Sequence, residues 1–174
     1  MTALAFLHAP EQGQTNRLLA DLAARLIARG VRVCGCVQID SPRAGQLRCD
    51  MDLRLMPDGA VLRISENRGA GAGGCQLDPG ALEAAVAAVA LRLAQGADLL
   101  IVNKFGKQEA EGHGFRDLIG EAVSLGIPVL VGLNDAGAAG FAAFADGLAE
   151  ALPADPATLD DWASAAIATR RTAA

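Results

Sequence analysis

The chain has 174 residues, with 15 basic against 20 acidic side chains and a formal net charge of −5. That length suits a single domain spanning 1–174, long enough to bury a sizeable core without staples. An apolar fraction of 52% excludes a disordered acidic chain, while 3% aromatics and the acidic balance argue against a nucleic-acid partner.

The segment 3–8 is a short apolar run that reads as a buried strand, ended by the turn Pro10-Glu11-Gln12-Gly13. Leu18, Leu19, Leu22, Leu26 and Ile27 recur at helical spacing, with Thr15 or Asn16 as cap and Gly30 as stop. A second strand follows over 31–39. Between 47 and 65 the pattern changes to period two: Leu47, Cys49, Met51, Leu53 and Leu55 alternate with Arg48, Asp50, Asp52 and Arg54. The Pro57-Asp58-Gly59 turn completes a hairpin insertion with one wet face. Internal ion pairing accounts for its charges. Residues 67–74 form a glycine-rich loop. Asp78-Pro79 opens a helix with the stripe Leu82, Val86, Val89 and Leu93. A third strand covers 99–102, an amphipathic helix carries Phe115, Leu118, Ile119, Ala122 and Val123, and a fourth strand covers 129–133. Phe141, Phe144 and Leu148 belong to a further helix, and 155–174 is a C-terminal tail with a short helix and a frayed end. The apolar stretches are interrupted by Glu83, Arg92 and Asp98, and none approaches the ~20 residues of a spanning helix. The first residues lack the basic region of a secretory signal. A cytoplasmic location, with Cys34, Cys36, Cys49 and Cys75 as reduced thiols, is the expectation.

Strands alternating with helices predict an α/β fold: a mostly parallel sheet covered on both faces, with the antiparallel hairpin added. Ligands of such sheets lie beyond the carboxyl ends of the strands. That selects the loops 8–15, 103–114 and 134–137. The first, from His8 to Thr15, has the length and context of a phosphate-binding loop, G-x-x-x-x-G-K-[ST]. Gly13 and Thr15 match. His8 replaces the first glycine and Gln14 replaces the lysine. The second loop follows a core strand where a triphosphate-hydrolysing protein holds Mg²⁺ with an acid; here the residues are Asn103 and Lys104. The only lysines, Lys104 and Lys107, and the only histidines, His8 and His113, all lie in these two loops. Glu109 and Glu111 are the acids left as catalytic candidates. No metal site is expected; Cys75, after Gly71-Ala-Gly-Gly74, is the thiol read as exposed and the weak candidate for a metal ligand.

The segments Arg48-Cys-Asp-Met-Asp-Leu-Arg54, Gly74-Cys-Gln-Leu-Asp-Pro-Gly80 and Asn103-Lys-Phe-Gly-Lys-Gln-Glu-Ala-Glu-Gly112 resemble the bacterial domain of unknown function 2478, over roughly 4–162. The resemblance implies a P-loop-like three-layer sandwich, a nucleoside-triphosphatase-like family and an association with molybdenum transport. It therefore names molybdate as a candidate ligand. The main expectation is a degenerate P-loop-like protein that binds a small anionic ligand, an oxyanion or a nucleotide phosphate, at His8, Gly13, Gln14, Thr15, Asn103, Lys104, Lys107 and His113. The charge changes at positions 14, 103 and 104 disfavour Mg²⁺ and hydrolysis. The alternatives are an active nucleoside triphosphatase using Glu109 or Glu111, and a non-catalytic homo-oligomeric module using the Arg48–Arg54 hairpin.

Overall fold

The computed structural model describes residues 3–42, 49–66 and 76–173. In chain order its elements are β1 (Leu4–Leu7), α1 (Gln14–Ala28), β2 (Val33–Pro42), β3 (Cys49–Met56), β4 (Val61–Arg63), β5 (Ser65–Glu66), β6 (Gln76–Leu77), α2 (Pro79–Ala94), β7 (Leu99–Phe105), α3 (Lys107–Ala110), α4 (Arg116–Ser124), β8 (Val129–Leu133), α5 (Asp135–Ala145), β9 (Ala149–Leu152) and α6 (Pro156–Ala173).

The near-continuous apolar runs of β7 and β8 fit strands covered on both faces. They form the centre of a seven-stranded sheet in the order β4-β3-β2-β7-β8-β1-β9. Strands β2, β7, β8, β1 and β9 run parallel. Strands β3 and β4 run antiparallel at one edge, as the period-two hairpin requires. Successive side chains go to opposite faces. Leu100, Val102, Val129 and Val131 pack with Leu82, Val89, Ile119 and Phe141 of α2, α4 and α5. Leu99, Ile101 and Leu130 pack with Leu19, Leu22 and Leu26 of α1 and with Trp162 and Ile167 of α6. The result is the three-layer α/β sandwich, with its added antiparallel edge, that the pattern predicts, and it is consistent with the P-loop-like architecture that the resemblance implies. Each fully buried Leu or Ile contributes about 1.5–3 kcal/mol, so the two cores together dominate stability. No helix among the described residues is long and apolar enough to cross a membrane.

Three local features differ from the sequence reading. Neither Thr15 nor Asn16 caps α1. Gly13 is the N-cap, in the left-handed region at φ +74°, and makes no side-chain cap bond. Leu148 does not extend α5. Asp146 (φ +46°) and Gly147 (φ +75°) end that helix, Leu148 is exposed, and the next residues pair with β1 as the edge strand β9. Residues 156–173 are a full helix rather than a short one with a frayed end. Its buried stripe is Leu159, Trp162, Ala163, Ala166 and Ile167, and Asp160 accepts from Arg25 Nε at 2.7 Å and from the Arg29 guanidinium. The sequence signal was weak because alanines supply much of that stripe.

The topology positions the site. β1 connects toward β2 through α1 on one face. β8 connects toward β9 through α5 on the other face. The two connections diverge from adjacent strands, β1 and β8, the arrangement that in such sheets leaves a crevice at the carboxyl ends.

Candidate functional site

The first wall of the crevice is the loop between β1 and α1. The Thr15 hydroxyl accepts from Ala9 N at 3.1 Å, and Gln14 N donates to Glu11 O at 3.1 Å, so the loop closes on itself. Gly13 turns the chain into α1 in a conformation that costs an L-residue about 1–2 kcal/mol. Gln14 Oε1 is buried with no hydrogen-bond partner in the structure. His8, at the end of β1, reaches across the crevice: its Nε2 lies 3.2 Å from Asp135 Oδ1 in the first turn of α5. Asn134 caps α5 by accepting from Gly137 N at 3.0 Å. The wall from β8 is Gly132, where a Cβ would meet the Asn103 carbonyl at 2.1 Å and Thr15 Cγ2 at 2.9 Å. Only glycine lets the start of α1 and the end of β7 come this close.

Asn103 occupies the position where a Mg²⁺-holding acid would sit, and its side chain is committed internally. Oδ1 accepts from Gln38 N at 2.8 Å, and Nδ2 donates to Asn16 Oδ1 at 3.0 Å. The residue is 3% exposed. One amide therefore joins β2, β7 and α1.

Beyond Asn103 the chain builds a second feature, on the α2 face. A cavity of about 270 Å³ opens at the carboxyl ends of β2 and β7. Its floor and walls are Cys36, Met51, Leu53, Ile64, Leu77, Leu82 and Phe115, supplied by the sheet, the hairpin, β6, α2 and the start of α4. Its polar side is Gln38, Asn103, Lys104, Gly106, Lys107, Gln108 and Glu109. Burial pushes the Cys36 thiol up to about 12 and Cys34 up to about 11, so both are protonated, unreactive packing groups at neutral pH.

Glu109 is buried, and both its oxygens are occupied: Oε2 accepts from Gly106 N at 2.9 Å and Oε1 from Phe115 N at 3.2 Å. Its carboxylate thus shapes the loop between β7 and α4. Glu111 is exposed, with Oε1 3.7 Å from Lys107 Nζ, a spacing of four residues. Lys104 is exposed at the cavity rim. His113 is exposed, and its backbone N donates to Gln108 O at 2.8 Å.

The sequence-selected residues therefore fall into two groups. His8, Gly13, Gln14 and Thr15 form the crevice wall. Lys104, Lys107 and Glu109 line the cavity, while His113 and Glu111 do not. Asn103 belongs to both. Cys75 and Arg48 lie outside the described residues. Among the described residues, no three His, Cys, Asp or Glu side chains gather as a metal-ligand group. Sequence reading named Asn16 only as a cap and missed its bond to Asn103, and it missed Gln38 and the cavity's apolar lining. The hairpin's alternation was the available signal for that lining, since it aims Met51 and Leu53 at the α2 face.

The family model described as "Protein of unknown function (DUF2478)" matches residues 4–162. Over 158 residues the chain is 34% identical to the molybdenum import ATP-binding protein ModC 2 of Bradyrhizobium diazoefficiens. That match takes in 91% of this chain but only 18% of the length of the curated relative. No solved structure matches the chain.

Proposed function

This chain belongs to the DUF2478 family, and on that premise we propose that it binds an anion, the phosphate groups of a nucleotide or a tetrahedral oxyanion such as molybdate, in the crevice between β1 and β8 and does not hydrolyse it. The observation that carries the reading is the position of α1. Its N-terminus, entered through left-handed Gly13, opens at the carboxyl end of β1, where the strand connections diverge. Helix-terminal amides and the helix dipole favour negative charge there. Gln14 adds a buried side-chain amide, and rotation of that amide exchanges its unpartnered acceptor for an N–H donor. Lys104 and Lys107 line the cavity on the α2 face and are not counted in this reading.

The residues present do not fit Mg²⁺-dependent phosphoryl transfer. Position 14 lacks the lysine that neutralises β- and γ-phosphates. Position 103 lacks the acid, and Asn103 spends both amide atoms on Gln38 and Asn16. Glu109, a substitute acid the sequence offers, has both oxygens turned to backbone N–H groups. The relative's name, a molybdenum import ATP-binding protein, supports both ligand classes.

Calorimetric titration with ATP and with sodium molybdate, in buffer containing EDTA, tests the reading. We expect at least one to bind the wild type. Gln14→Lys should tighten it and Gln14→Glu should weaken it, each by about fivefold, the size of one partly screened charge contact. Absence of binding by both ions, or affinities unmoved by both substitutions, would overturn it.

A further inference from the structure

The cavity at the ends of β2 and β7 is distinct from the crevice: Asn103 borders both, but His8, Gly13, Gln14 and Thr15 are absent from its lining. A tetrahedral oxyanion has no use for its apolar walls. The volume, about 270 Å³, lies just under the ~300–1,000 Å³ of ordinary small-molecule sites. The lining is divided. Met51, Leu53, Ile64, Leu77, Leu82 and Phe115 make one apolar body, and Lys104 and Lys107 stand on the polar side. The acid on that side, Glu109, already accepts two backbone N–H bonds. Glu111, opposite Lys107, is exposed and 3.7 Å away, so it screens that lysine weakly. Gln38 and Gln108 add amide groups.

We propose that this cavity is a second ligand site, for a small organic anion with an aromatic or branched apolar body and one carboxylate, sulfonate or phosphate group. The apolar body enters between Leu53, Leu77, Leu82 and Phe115. The anionic group meets Lys104 and Lys107 at the rim. The site stands independently of the anion crevice.

A matched pair of fluorescent probes tests it: 8-anilinonaphthalene-1-sulfonate and its uncharged analogue N-phenyl-1-naphthylamine. They share one apolar body and differ in the sulfonate. We expect saturable one-to-one binding of the sulfonate, with the neutral probe at least fivefold weaker. Lys104→Gln and Lys107→Gln should each weaken the sulfonate about threefold and leave the neutral probe unchanged. Arg54→Gln, the same charge change on the opposite face of β3, should alter neither. Leu77→Trp, which fills the cavity, should abolish both; Met51→Trp serves if that variant does not fold, and the exposed lysine variants report in either case. Sulfonate binding that is non-saturable, or unmoved by the double lysine variant, would overturn the proposal, as would a neutral probe that binds as tightly. Gln14→Lys should leave sulfonate binding unchanged, so this outcome and that of the crevice titration are read separately.

Discussion

The Asn103 side-chain amide donates to Asn16 Oδ1 at 3.0 Å, tying the end of β7 to the first turn of α1. The same amide accepts from Gln38 N at 2.8 Å, and Asn103 is also among the residues that line the cavity on the α2 face. A single buried side chain thus fixes both candidate sites to one frame. Shape, and not charge, is what this position contributes.

Replacing that amide should be costly. In Asn103→Leu, Gln38 N and Asn16 Oδ1 lose their partner in a buried setting. We expect a loss of about 2 kcal/mol, the usual penalty for a buried polar group left unpaired. Urea denaturation should show a lower midpoint at unchanged slope. An unchanged midpoint would mean that water or a neighbour replaces the amide without cost.

The loop after β7 should depend on Glu109 in a similar way. Glu109→Ala removes the acceptor of two backbone N–H bonds, at Gly106 and Phe115. Bonds to a charged group are the stronger kind, so about 3 kcal/mol of stability should be lost. Gly114 is held to the same geometry: its φ is +59°, and a Cβ there would lie 2.2 Å from Glu109 Oε1. Gly114→Ala should therefore destabilise comparably, whereas Gly120→Ala, where a Cβ meets nothing within 4 Å, should not. Thermal melts of the three variants compare these directly. Equal melting temperatures for the two glycine variants would refute the packing argument.

A third expectation concerns acid. The Arg32 guanidinium bonded to Asp98 holds that carboxyl down at about 2, against its burial, with help from the Arg32 backbone N–H and the Arg171 charge. The folded-state value lies below the unfolded value of about 3.9. Its contribution, about 2 kcal/mol, is therefore present above pH 4 and lost as pH falls toward 2. Asp98→Asn should lower stability near neutrality and flatten the acid limb of a stability–pH curve measured from pH 2 to 6. The same steepness in both proteins would assign the acid loss to other carboxylates. The cluster also holds the end of α6: Arg171 bridges Asp98, and Arg170 donates to Ala97 O.

Hydrolysis of ATP or GTP with Mg²⁺ should stay at the level of a protein-free blank. Phosphate release is the measurement, with Glu109→Gln as the informative variant. Turnover that disappears in Glu109→Gln while the variant remains folded would restore the catalytic reading of that acid.

Much of this architecture could be read along the chain because its signals are local. The runs at 99–102 and 129–133, the period-two hairpin, and Asp78-Pro79 ahead of a leucine and valine stripe each state their own structure. Asp78 does accept from Ala81 N at 3.1 Å. Parallel-sheet logic likewise selected the loops at the strand ends. Nothing local marked β9 as a strand, because an edge strand with one buried residue, Leu152, has no alternation to detect. Nor did anything local mark α6 as a full helix, since Ala163 and Ala166 become core only against α1 and the sheet. The partition of the candidate residues was also a tertiary decision. Lys104 and His113 are close in the chain, yet only Lys104 lines the cavity, and Glu109 turns inward because Gly106 and Phe115 offer it two N–H groups. Asn103 meets Asn16 across a sequence separation of 87. The sequence alone marked the core strands, the hairpin and the helices α1, α2 and α4, and with them the strand-end loops. Long-range packing decided which side chains those ends share, because a side chain's partners depend on how separate elements meet, and no short window of sequence contains both halves of such a contact.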